Sequence, residues 1–155
     1  MKIVKIKKFT VLVDDKDYQK VLKHNWYILR KKYPYFVSQI NGKPITLQRF
    51  ILNPPQNLEV DHINRNIYDN RKSNLRIANH SQNKANVDRY KNNKSGFKGV
   101  WFRKNRGNIN KPWCSSTSFH GKTIHFGCFN TPKKAAKVYD KNAKKLFKEF
   151  AKTNF

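Results

Sequence analysis

The sequence of 155 residues predicts an α+β chain built from two small modules, and three observations carry that reading. An apolar stripe of helical period follows Thr131-Pro132, short strand-like runs occur on both sides of the chain's middle, and the polar stretch Asp88 to Ser95 (DRYKNNKS) separates two patterned regions. The boundary expected from that stretch, read as a linker, gives modules 1–90 and 91–155.

In the first module Phe9 to Val13 (FTVLV) reads as a strand. Asp14 to His24 reads as a helix with acidic residues at its positive end. Trp26 to Leu29 and Tyr33 to Ile40 read as strands, the second closed by the turn pair Asn41-Gly42. Ile45 to Leu52 is ambiguous, but Leu47, Phe50 and Ile51 fall at helical spacing before Asn53-Pro54-Pro55 stops the run. Leu58 to Ile63 follows as a strand, then an Asn-rich loop to Ser73, a strand from Asn74 to Ala78, and a helix to about Arg89 that Asn79 could cap. In the second module Phe97 to Arg103, Trp113 to Phe119 and Thr123 to Phe129 are three strands. Thr131 is an N-cap with Pro132 at the first helical position, and Ala135, Ala136, Tyr139, Ala143, Leu146, Phe147 and Phe150 trace the buried stripe. A three-stranded antiparallel sheet packed on one helix is the economical result.

The chain carries 34 Lys plus Arg against 9 Asp plus Glu, a formal charge of +25, so a polyanion is the expected partner, most simply double-stranded DNA. Residues 1–90 hold 18 basic and 7 acidic side chains and residues 91–155 hold 16 and 2, so each half could touch DNA. With 37% hydrophobic residues the chain reads as folded, not as a basic tail. Cys114 and Cys128 form no C-x-x-C pair, which excludes a zinc ribbon from this chain and argues against a disulfide framework. No run of 18 apolar residues occurs. An intracellular protein without a membrane span is expected, a monomer or alternatively a dimer.

The segment Glu59 to Asn86 places Asp61 beside His62 at a strand end, Asn74 where the chain returns, and Asn83 nine residues later in the helix. This strand, loop, strand and helix resemble the HNH (ββα-metal) endonucleases, in the homing branch whose third motif position is Asn. The resemblance spans roughly Ile45 to Arg89. It implies that His62 is the general base, since an imidazole can take a proton from water near neutral pH. It also implies that Asp61 and Asn83 hold a divalent cation and that Asn74 braces the loop and helps orient His62. A carboxylate and an amide oxygen favour Mg²⁺ or Mn²⁺, with no structural zinc. Residues 79, 83 and 86 share a helical face, and motif spacing selects Asn83. Arg65, Arg71, Lys72 and Arg76 are expected to grip phosphates near the site. One departure is Leu47-Gln48-Arg49, where the branch often has Leu-His-Arg.

The second module, from SGFKGVWFRK through GCFNTPKKAAKVYDKNAKKLFKEFAKTNF, resembles the AP-two/ERF DNA-binding domain. That family lays its sheet in the major groove, so the resemblance implies DNA contacts from Lys98, Trp101, Arg103, Trp113, Ser115 and Thr117, together with His125. Val100 and Phe102 would face the helix if Lys98, Trp101 and Arg103 faced out, but those three do not share parity, so a bulge or bend is required for all of them to touch DNA. The lysines opposite the stripe of the last helix, Lys141 among them, read as a solvated face. Two functions follow: an endonuclease that nicks DNA and is tethered by its second module, or a DNA-binding regulator whose HNH half no longer cuts.

Overall fold

The computed structural model describes residues 1–29, 35–104 and 110–155. It is a mixed α+β structure with several small antiparallel sheets, and the chain divides into two compact units, 1–79 and 80–155.

The first unit opens with a hairpin, β1 (Lys2–Ile6) and β2 (Phe9–Val13), in which Val4, Ile6, Val11 and Val13 point inward at period two. Only β2 is legible in the sequence, because the lysines of β1 mask its alternation. Next comes α1 (Asp15–Leu22), with Asp15 and Asp17 in its first turn. The strands β3 (Tyr27–Ile28), β4 (Phe36–Ile40) and β5 (Lys43–Thr46) form a sheet in chain order. Its second hairpin turns at Asn41 and Gly42, both at positive φ as a two-residue turn requires. The expected start of β4 at Tyr33 lies outside the described residues. The ambiguous run resolves into β5 followed by α2 (Leu47–Leu52), which ends where Asn53 turns left-handed ahead of Pro54. Arg49 of α2 donates to the carbonyls of Pro55 and Leu58, fixing the approach to β6 (Glu59–His62). β6 pairs antiparallel with β7 (Leu75–Ala78), Asp61 opposite Arg76 and His62 opposite Leu75.

The core gathers Val4, Ile6, Val11, Val13, Val21, Phe36, Leu47, Ile51, Val60 and Leu75. Burying each of the fully enclosed Val11, Val13, Val21 and Leu47 contributes roughly 1.5–3 kcal/mol. The Asn-rich loop between β6 and β7 is held against β2: Leu12 N–H donates to Tyr68 O at 2.7 Å, and Asn70 N–H donates to Leu12 O at 2.8 Å. Tyr68 stacks on Phe9 with ring centroids 5.6 Å apart.

The second compact unit begins with α3 (His80–Asn86). The polar stretch Asp88 to Ser95 is no loose linker at its end: Asn93 Oδ1 accepts from Ser95 N–H and Oγ–H, and Asn93 Nδ2 donates to Phe97 O and Val100 O. The sheet runs β10 (Lys122–Phe129), β9 (Trp113–Phe119), β8 (Val100–Phe102), all antiparallel. A bulge separates His125 from Gly127. α4 (Pro132–Phe147) starts as expected, Thr131 Oγ1 accepting from Lys134 N–H at 3.2 Å. Ala135, Ala136, Tyr139, Ala143 and Phe147 are its buried face, with Val100, Phe97, Trp113 and Phe129 packed on the first two. Gly99, at φ +71°, lets the chain pass Tyr139 closely: a Cβ there would lie 2.0 Å from the ring. Asp140 is buried and accepts from the backbone N–H groups of Asn154 and Phe155, while Asn154 Oδ1 accepts from Lys98 N–H at 2.7 Å.

The expectation of unpaired cysteines is corrected. Cys114 and Cys128 are direct cross-strand neighbours, Cα atoms 4.0 Å apart, and form a disulfide. Spacing along the chain hides this, because the hairpin register brings residues 14 apart face to face.

Candidate active site and sheet face

At the end of β6, Asp61 and His62 are both buried, at 5% and 8% exposure. Successive strand residues face opposite ways, so this strand end is covered on both sides. Asp61 Oδ2 accepts from Arg76 Nε at 2.8 Å and pairs with its Nη2 at 2.7 Å, directly across the ladder. His62 Nε2 lies 3.2 Å from Asn70 Oδ1. Burial holds the His62 pKa below its ordinary 6.5, against the opposing effects of the Asn70 hydrogen bond and the Asp61 and Asp69 carboxylates. The ring is therefore neutral at physiological pH, the state a proton acceptor needs.

The loop after His62 is a network of short polar side chains. Asn74 Oδ1 accepts from Asn64 N–H at 2.9 Å, and Asn74 Nδ2 donates to Asp69 O at 2.8 Å, so Asn74 ties both limbs of the loop together. Asp69 accepts from Asn64 Nδ2 and, through both oxygens, from Arg71 Nε and Nη2 at 2.7 Å each. The Arg71 guanidinium holds the Asp69 carboxyl below its ordinary range, against burial. Asn64, Asp69 and Asn70 were missed as site residues. The Asp69-Asn70 pair is visible in the sequence, but its relation to His62 comes from the docking of the loop on β2, which no local pattern encodes.

Among the expected phosphate grips, three are paired with carboxylates of the chain. Arg71 holds Asp69, Arg76 holds Asp61, and Lys72 Nζ lies 3.0 Å from Asp17 Oδ2 while its N–H donates to Asp14. Their positive charge is matched by these acidic partners. Arg65 is exposed in the turn after β6, at φ +63°. Asn83 lies in α3, half-buried, and belongs to the second unit.

In the second unit the residues expected to touch DNA divide between the two sides of the sheet. Register puts Ser115 beside Val100 and Trp113 beside Phe102, on the side that packs against α4. Ser115 is fully buried, Trp113 packs on the Val100, Ala135 and Ala136 cluster, and Thr117 hydrogen-bonds Tyr139. Lys98 turns its ammonium to Ala85 O. The opposite side of the sheet carries Trp101, 40% exposed, with Ser116, Ser118, Thr123 and His125. There Trp101 Nε1 donates to Ser116 Oγ at 3.1 Å and its ring lies edge-on to His125. Arg103 is exposed just beyond β8.

The metal donors available are hard oxygens. Among the described residues no group of three or more His, Cys, Asp and Glu could by itself hold a metal ion. The buried Asp61 carboxylate is a hard oxygen donor of the kind that a divalent cation such as Mg²⁺ accepts, with water and phosphate completing its shell.

A buried Asp-His pair on an antiparallel ββ unit, with a bracing Asn in the loop and a helix next in the chain, defines the class as a candidate hydrolytic nuclease. The description of the HNH endonuclease family matches residues 53–85, which include Asp61, His62, Asn74 and Asn83. A protein described as an uncharacterized HNH endonuclease of Acanthamoeba polyphaga mimivirus is 37% identical over 140 residues, covering 86% of this chain and 68% of the relative. The chain belongs to the HNH endonuclease family, and it is a nuclease. Neither unit alone is long enough for that coverage, so the likeness runs through both. No solved structure matches. Among the described residues no helix is long and apolar enough to cross a membrane.

Proposed function

We propose that this chain is a divalent-metal-dependent endonuclease of the homing type that nicks double-stranded DNA, with its second unit tethering it to the target. The observation that carries the reading is the buried His62 beside the buried Asp61 carboxylate at the end of β6. His62 takes a proton from the attacking water, and Asn74 keeps the loop around it closed. Asp61 and Asn83 would hold Mg²⁺ or Mn²⁺, which when bound supplies charge stabilisation for the phosphate and the leaving oxygen. Arg76 orients the Asp61 carboxylate through two nitrogens of its guanidinium. One such site per chain breaks one strand, so a monomer nicks.

The AP-two/ERF-like reading of the second unit is supported by its three antiparallel strands packed on α4 and by the open face bearing Trp101, Ser116, Ser118, Thr123 and His125, flanked by Arg103. A sheet face of that kind fits the major groove. The reading also places the protein inside the cell, where the DNA of a virus or its host resides.

Supercoiled plasmid carrying the gene's own neighbourhood, incubated with and without Mg²⁺, should yield open circles only with the cation, and mapped ends should fall at one site. His62→Ala should lower the nicking rate by roughly 10²–10⁴-fold with DNA binding unchanged. Equal nicking by variant and parent would remove His62 as the base. DNA binding with no cleavage by the parent under any divalent cation would leave a DNA-binding protein in place of the proposed enzyme.

A further inference from the structure

Asn70 is 1% exposed, and both ends of its side chain are engaged. Nδ2 donates to Ile67 O at 2.9 Å, and a carbonyl can only accept, so the orientation of the amide is decided by that bond. Oδ1 is thereby turned to His62 Nε2, 3.2 Å away. An amide oxygen also only accepts. The ring nitrogen facing it must then carry a proton, which in a neutral imidazole leaves the lone pair on Nδ1. The other tautomer would set two lone pairs against each other in a buried place.

We propose that Asn70 is a positioning residue for DNA cleavage, holding His62 in the Nε2–H tautomer so that Nδ1 is the nitrogen that receives the water's proton. This rests on the reading of His62 as the base. In that step the proton passes from water to Nδ1, the hydroxide oxygen bonds to phosphorus, and the 3′ oxygen leaves with its electron pair. The Asn70 bond persists throughout, because Nε2 stays a donor whether the ring is neutral or charged.

The placement of Asn70 does not depend on the imidazole. Its backbone N–H donates to Leu12 O, and the adjoining Tyr68 O accepts from Leu12 N–H, so β2 fixes this part of the loop. Asp69 beside it is locked by Arg71, and its carbonyl by Asn74. Asn70 therefore sits on a scaffold that a change at His62 leaves standing.

The test uses the full chain labelled with ¹⁵N-histidine. His62 is identified by the signals lost in His62→Gln, and its two-bond proton–nitrogen correlations are read in the parent, Asn70→Leu and Asn70→Asp. The parent should show the proton on Nε2. Asn70→Leu, which keeps bulk but removes the acceptor, should shift His62 to a mixture of tautomers and lower the nicking kcat roughly 10- to 100-fold with KM little changed. Asn70→Asp, which restores an acceptor oxygen, should return the Nε2–H signature. A parent spectrum with the proton on Nδ1 overturns the proposal even if every variant misfolds, and so does an Asn70→Leu protein with unaltered tautomer and rate. His62→Gln keeps the two readings apart: if it nicks like the parent the base assignment fails while the parent's tautomer result stands, and if it is inactive while the parent carries the proton on Nδ1 only the Asn70 proposal fails.

Discussion

The two units use their positive charge in different ways. In the first, Arg71, Lys72 and Arg76 are turned onto Asp69, Asp17 and Asp61, and the polar loop is closed by its own amides. In the second, Lys133, Lys134, Lys137, Lys141, Lys144 and Lys145 are exposed along α4, and acidic residues are few. Similar net charges therefore mean different things: in the first unit basic residues orient a site, and in the second they supply a field. Composition cannot separate these uses, because the distinction is made by ladder and loop geometry.

If that contrast holds, removing a basic residue should cost stability in the first unit and almost none in the second. Arg76→Met strands the buried Asp61 carboxylate, and the first unit should lose about 3 kcal/mol in urea unfolding followed by resonances of residues 1–79. Gly99→Ala is the matching injury to the second unit, forcing a methyl into the Tyr139 ring at positive φ. It should cost about 2 kcal/mol, seen in resonances of residues 80–155 alone.

The response to pH should divide the units as well. Burial pushes the Tyr139 hydroxyl up to about 12 from 10.0. Its folded pKa lies above the unfolded one, so its contribution is complete below pH 10 and disappears as pH rises to about 12. On the order of 2 kcal/mol of the second unit's stability should go in that window, and Tyr139→Phe should abolish the alkaline loss. His62 and Asp69 are shifted down, so their contributions are complete above the ordinary values of 6.5 and 3.8 and are lost as pH falls. The first unit should therefore weaken in acid first, which thermal melts across pH would register. Smallest of all, Lys141→Ala should change stability by no more than about 0.5 kcal/mol.

Much of this was legible along the chain. Thr131-Pro132 and the stripe through Phe147 mark α4 because cap, fixed φ and period agree locally. The buried Asp-His pair and the loop-bracing Asn74 are legible because residue types recur there at set spacings. What was hidden is what register and docking decide. Ser115 and Thr117 are polar by composition yet face the helix, since a shift of one residue in a strand changes the face. Asn70 is one asparagine among several in an Asn-rich stretch, and only the docking of its loop on Leu12 singles it out.

That docking bears on transplantation. The stretch that matches the nuclease family, 53–85, contains the candidate base and donors but not the strand Phe9–Val13 on which the loop is hung. A graft of 53–85 alone into a new scaffold would carry the chemical groups without the backbone groups of Leu12 that set them. The segment that is recognisable by descent is smaller than the segment that must travel for the chemistry to survive, and a working graft should begin at or before the first hairpin.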